Sequence, residues 1–187
     1  MQKNNTPLQE DQTPWYTIRL ARADQEPVRQ ALEALHLECF IPMEYVETDT
    51  SGHPPRLIMR PVVHNLLFLK KTMPEREIRN LLAQLPHRIF VIRKDDKRSE
   101  YYEIPPRQME EFQLMCNPAM LMRKFLSNNE ARLKSGTPVV VQHGPLKGLT
   151  GKLVRSNKKY FLLKEVPGLG IMLKISRWCC KPLNLPK

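Results

Sequence analysis

The stretch WYTIRLARADQEPVRQALEAL, residues 15–35, changes its hydrophobic period half-way along. Trp15 to Leu20 alternates like a strand with one buried face. Asp24 and Glu26 are acids of the kind that open helices, and Pro27 suits a first helical turn. Val28, Ala31, Leu32 and Leu35 then recur at helical spacing, which predicts an amphipathic helix over 26–37. A strand feeding directly into a helix is the mark of a mixed α and β unit.

Working outward, residues 1–13 are polar and unpatterned, as expected of a disordered tail. Phe40 to Thr48 reads as a second strand and residues 49–55 as a turn-rich loop. Leu57–Met59 and Val62–Leu69 are further β runs. Thr72 and Glu75 have capping-box spacing around Pro74. Ile78, Leu81, Leu82 and Leu85 mark a second helix that Pro86 ends. Ile89–Ile92 is an apolar strand, residues 95–99 a charged turn, and Tyr101–Ile104 another β run. A third helix is expected over 106–116, with Met109, Phe112 and Cys116 on one face. The order β-α-β-β-β-α-β-β-α predicts an α+β unit over 14–116, a mainly antiparallel sheet with packed helices. Residues 117–132 read as a linker with a short apolar helical piece, Met120 to Leu126, and a polar end over 127–132. From 133 to 187 short strands alternate with glycine turns, which predicts a small SH3-like β-barrel. Gly144 is expected to turn the chain after Val139–Gln142, and Gly148 and Gly151 to let the next strand start close to its neighbour.

Charge divides the chain at the same place. Residues 133–187 carry eleven Lys and Arg against one acid, Glu165, whereas the rest holds nineteen bases and eighteen acids. A cationic excess this concentrated favours a polyanion, and nucleic acid is the commonest in cells. Lys147, Lys152, Arg155, Lys158 and Lys159 crowd the tight loops near His143, where charge density suits phosphate. Tyr160 and Phe161 adjoin them, one placed to stack on a base and the other to fill the core.

Several classes are disfavoured. No apolar run approaches a membrane span and the polar N-terminus lacks a signal-peptide centre, so a soluble cytoplasmic protein with no membrane partner is expected. The four cysteines show no CxxC, and no His-x3–5-His spacing occurs, so no metal site is expected. Cys39 with His36 or His64 lacks an orienting group for thiol chemistry, and the phosphate-binding GxxxxGK[ST] loop is absent. Neither an enzyme nor a cofactor is expected.

Two resemblances narrow the function. Ser135-Gly136-Thr-Pro-Val-Val-Val-Gln-His-Gly144-Pro-Leu-Lys-Gly148-Leu-Thr-Gly151-Lys-Leu-Val154 resembles the KOW motif, with Gly144, Gly148 and Gly151 in register. Trp15-Tyr-Thr-Ile-Arg19, Phe40-Ile-Pro42 and the run Arg60-Pro-Val-Val-His-Asn-Leu-Leu-Phe-Leu69 resemble, in order and spacing, the opening domain of NusG-family transcription factors. The chain therefore looks like a NusG-family factor, an N-terminal NusG domain followed by a KOW domain. The resemblance implies a monomer that binds the clamp helices of the RNA polymerase largest subunit and suppresses pausing or termination. Tyr16, Leu66, Phe68 and Phe90 are the implied polymerase contacts. Arg19 and Arg22 lie where family members approach upstream DNA, and nontemplate DNA or nascent RNA is the implied nucleic acid. Two departures point to a specialised paralogue resembling the UpxY-type antiterminators. His64-Asn65-Leu66 replaces the family's Phe-Pro-Gly-Tyr signature, and Met172-Leu-Lys-Ile-Ser-Arg177 replaces an acidic strand used for a ribosomal protein and Rho. The alternative is a ribosome-associated KOW protein binding ribosomal RNA, which leaves the first hundred residues without a role.

Overall fold

The structure is a computed structural model and describes residues 11–22, 25–48, 56–95, 99–120 and 122–183. Most of the expected tail, the 49–55 loop, Asp24 and part of the 95–99 turn lie outside the described residues.

The first half is built on a four-stranded antiparallel sheet in the order β2-β5-β1-β6, made of β1 (Trp15–Leu20), β2 (Cys39–Phe40), β5 (Leu66–Lys70) and β6 (Ile89–Val91). Strand alternation sends Tyr16, Ile18, Leu20, Leu67 and Leu69 to one face. There they meet Val28 and Leu32 of α1 (Gln25–Ala34) and Ile78 and Leu82 of α2 (Glu75–Gln84). Trp15, Leu66 and Phe68 point to the other face, against Met109, Phe112 and Met115 of α3 (Pro106–Cys116). Leu66 to Leu69 are all buried because this central strand is covered on both sides.

Details of the first half correct three expectations. The run 62–69 is not one strand: β4 (Arg56–Pro61) ends at Pro61, and the chain turns before β5. The buried Gln25 side chain fixes that turn, donating to the carbonyls of Val63 (2.7 Å) and Leu66. The second β run also splits, because β4 pairs with β3 (Met43–Thr48) in a separate two-stranded ribbon rather than joining the sheet. No side chain caps α2, whose N-cap is Pro74, so Thr72 and Glu75 form no capping box.

The second half is a six-stranded antiparallel sheet in the order β12-β8-β9-β10-β11-β7. Its strands are β7 (Arg123–Ser127), β8 (Thr137–Val141), β9 (Thr150–Ser156), β10 (Lys159–Val166), β11 (Leu169–Lys174) and β12 (Cys180–Pro182). Among the described residues no pairing joins β7 to β12, so the strands do not close a hydrogen-bonded barrel. Within the expected helical piece at 120–126, the residues from Arg123 onward belong instead to the edge strand β7, and the polar stretch after it is α4 (Asn128–Arg132). Ser127 and Glu130 form the capping box that starts α4. Ala131 is buried, and a Cβ on Gly170 would lie 2.6 Å from its Cβ, so α4 packs tightly on β11. Residues 127–132 are thus part of the second half and not an exposed linker.

Glycine serves two separate needs here. Gly144 and Gly148 have φ of 83° and 92° with open space where a Cβ would sit, so both are turn residues. Gly151 is the close approach: a Cβ there would lie 2.6 Å from the Leu163 carbonyl oxygen of the paired strand. Gly151→Ala is expected to cost about 1–3 kcal/mol by forcing β9 and β10 apart, which a thermal melt would read directly. An unchanged Tm would mean that the strands yield freely at this crossing.

The two halves share one core. Trp15, Leu66, Phe68 and Phe112 belong to the same buried cluster as Val141, Leu162, Val166, Leu169 and Ile171. The chain is therefore not two beads on a tether.

Candidate functional site

The face of the first sheet that carries Leu66 is covered from two directions. Phe68 lies under α3, edge-on to Phe112 with ring centroids 5.5 Å apart, and beside Phe40 at 6.2 Å. Leu66 lies under the β10–β11 turn, where a Cβ on Gly168 would sit 2.6 Å from the Leu66 Cδ1. The Thr17 hydroxyl donates to the Pro167 carbonyl at 2.9 Å and fastens that turn to the sheet. Gln108 of α3 donates to the Glu165 carbonyl at 2.7 Å.

A buried polar cluster completes the junction. Glu111 of α3 and Lys164 of β10 are 6% and 8% exposed and form an ion pair. The Thr150 hydroxyl of β9 donates to the same carboxylate at 2.9 Å. Lys164 also donates to the Thr150 carbonyl and hydroxyl, both at 3.1 Å. Two buried charges are tolerated because each has a partner and further hydrogen bonds.

These contacts sort the expected polymerase contacts. Tyr16 is fully buried beneath α1 and α2, on the face away from Leu66, and its expected surface role is corrected by strand alternation. Phe68 is core beneath α3, and Leu66 is buried beneath the Pro167–Gly168 turn. Phe90 alone of the four is open, 52% exposed on the edge strand β6 and paired with Arg19 of β1. Arg19 and Arg22 are both exposed, so cations and an aromatic ring share this end of the sheet.

The expected nucleic-acid residues also divide. Lys147, Arg155, Lys158 and Lys159 are exposed. Asn157 and Lys158 hold φ of 48° and 61° in the two-residue β9–β10 turn, which displays Lys158 at its tip. Lys152 is instead paired with Glu165 at 2.6 Å in a half-exposed ion pair, which offsets its charge. Lys164 is likewise removed from the cationic surface by Glu111.

Two features are not legible in the sequence. The β3–β4 ribbon exposes Tyr45, Leu57, Ile58 and Met59, an apolar group that a β run in the sequence reads as core. Trp178, in the 3-10 turn Arg177–Cys179, is 77% exposed, where a tryptophan is ordinarily taken for core. Burial pushes the Cys39 thiol up to about 11 and the Cys116 thiol up to about 12, so both stay protonated at neutral pH. Among the described residues no cluster of His, Cys, Asp and Glu is placed to hold a metal ion, and no helix is long and apolar enough to cross a membrane.

The comparison with known families bears on the first half. The NusG family model, described as "Transcription termination factor nusG", matches residues 13–113, more than half of the chain. The chain belongs to the NusG family. No curated protein matches it. The matched segment contains the four-stranded sheet, α1, α2, the β3–β4 ribbon and all but the last turn of α3. It is the domain of a transcription elongation or termination factor, and the covered face of Leu66 and the open Phe90 edge both lie within it.

Proposed function

We propose that this NusG-family chain is an operon-specific elongation and antitermination factor, a cytoplasmic monomer of the UpxY type with a KOW-type second half. The first half binds the clamp helices of the RNA polymerase largest subunit and suppresses pausing or termination. The observation that carries this reading is the family match over the segment in which the Phe90 edge and the separate apolar ribbon both stand exposed. Phe90 and, once uncovered, Leu66 supply apolar contact to the clamp helices. Tyr45, Leu57, Ile58 and Met59 on the projecting ribbon supply a second foothold across the cleft. Exposed apolar groups concentrated on one element are the usual mark of a partner site.

The KOW reading of the second half is supported by its strand order, in which β12 returns beside β8 and the intervening strands follow in sequence. Its net charge and its exposed Lys147, Arg155, Lys158 and Lys159 favour contact with nontemplate DNA or nascent RNA. Arg19 and Arg22 extend that contact from the first half. The chemistry required is binding alone, with no cofactor and no catalytic group.

Single-round transcription with purified polymerase tests the reading. Addition of the full chain should shorten the lifetime of a defined pause, and a folded Phe90→Glu variant should lose the effect because it sets a carboxylate against an apolar contact. Unchanged pausing at saturating protein would remove the antitermination reading.

A further inference from the structure

The most open aromatic among the described residues lies on the cationic half. Trp178 is 77% exposed, and the His143 ring lies beside its indole with centroids 6.1 Å apart. The Gln142 N–H donates to the Cys179 carbonyl at 2.7 Å, which fixes the Trp178 turn against the end of β8. One residue earlier, the Arg177 guanidinium lies 5.9 Å from the Tyr160 ring centroid, and Arg155 lies 5.8 Å from the same centroid. A shallow groove of about 550 Å3 runs here between Thr137, Leu153, Arg155, Tyr160 and Arg177. Among the described residues neither arginine makes an ion pair, and no carboxylate lines the groove.

From this placement we propose that Trp178, His143, Tyr160, Arg155 and Arg177 form a platform for single-stranded nucleic acid. Flat faces and cations lie together: an indole beside an imidazole, and a phenol with two guanidinium groups near its ring. Unpaired bases stack on such faces while phosphates meet the cations, and each stacked base adds substantially to affinity whatever its identity. A duplex keeps its base faces internal, so it would use the cations and leave the indole idle. An acidic peptide has charge but no aromatic faces of the size of a base to cover Trp178. The platform deepens the nucleic-acid contact proposed for the basic half and rests on it.

Tryptophan fluorescence tests it on the full chain, because the other tryptophan, Trp15, is buried at 5% exposure. Oligo(dT) and oligo(U), titrated separately, should quench and shift the emission, and the tighter of the two tells DNA from RNA. Trp178→Ala should abolish the quench and weaken binding of the labelled oligonucleotide about tenfold or more, while Trp178→Phe should restore part of it. Charge reversal at Lys147, Lys158 and Lys159 should lower the salt slope by about 2 and leave the quench at saturation intact. Oligonucleotide binding that is unaltered in Trp178→Ala, or an equal quench by poly-glutamate, would overturn the platform and leave the basic contact standing. Absence of any oligonucleotide binding would overturn both, and would leave the polymerase reading to its own test.

Discussion

Glu111→Ala is expected to destabilise the chain by about 3–5 kcal/mol, the usual cost of stranding a buried charge. The Glu111 carboxylate accepts from Lys164 and from the Thr150 hydroxyl, and Arg107 reaches it from solvent at 3.4 Å. Its removal leaves the Lys164 ammonium buried with only the Thr150 oxygens as partners. For a chain of this size the Tm should fall by roughly 10 °C. Lys164→Ala should cost less, because Glu111 keeps Thr150 and Arg107. The double change Glu111→Leu with Lys164→Met should recover much of the loss, since apolar groups of similar volume replace buried ion pairs at little cost. Circular-dichroism melts of the four proteins decide this. Equal Tm values for Glu111→Ala and the parent would mean that the ion pair does not hold the halves together.

Gly168→Val is expected to lift the β10–β11 turn off the first sheet. Gly168 has a φ of 95°, a conformation that costs an L-residue about 1–2 kcal/mol and a β-branched one more. Its new Cβ would also collide with Leu66, 2.6 Å away, and Thr17 and Ile92 at 3.4 and 3.6 Å leave little room for its methyl groups. Overpacking of this kind adds about 1–3 kcal/mol. The collision vanishes if the turn moves away, whereas the φ penalty stays within the turn, so the packing strain is relieved by loosening the junction rather than by unfolding either sheet. Hydrogen exchange should show faster exchange at the Thr17–Arg19 and Pro167–Leu169 segments, with the protection of α1 and α2 unchanged. Uniform loss of protection would mean that the two halves unfold together.

The sequence is legible where local period decides structure. The alternation of Trp15–Leu20 and the 3.6-residue spacing of Ile78, Leu82 and Met109, Phe112, Cys116 mark the strand and helices that the structure contains. It misleads where partners far away decide. Phe125 and Leu126 carry helix-like spacing from Met122, yet Arg123–Ser127 is a strand because β11 offers an unpaired edge. Alternation alone places Leu66 and Phe68 on one face, but what covers that face comes from α3 and from a turn a hundred residues later. Glu111 reads as an ordinary helical glutamate, and its partner Lys164 lies 53 residues on. The number of cations in the basic half is plain in the sequence, while the pairing of Lys152 with Glu165 and the burial of Lys164 against Glu111 are not. Tyr16 and Trp178 show the same limit from both sides: aromatic identity does not say which side of a strand or turn meets water.

The covered face gives the polymerase reading a quantitative consequence. If contact with the clamp helices uses Leu66 as well as Phe90, the full chain binds only in the fraction of time that the Pro167–Gly168 turn is lifted, and its apparent affinity falls by that fraction. Each loosening by about 1.4 kcal/mol should then tighten binding about tenfold. The measurement that tests this is a titration of core RNA polymerase with the full chain and with its folded Gly168→Val variant. The account predicts that the variant binds at least about tenfold more tightly, and that adding Phe90→Glu cancels the gain. A folded variant that binds polymerase no better than the parent, or a pair that binds ribosomal particles and not polymerase, would contradict it.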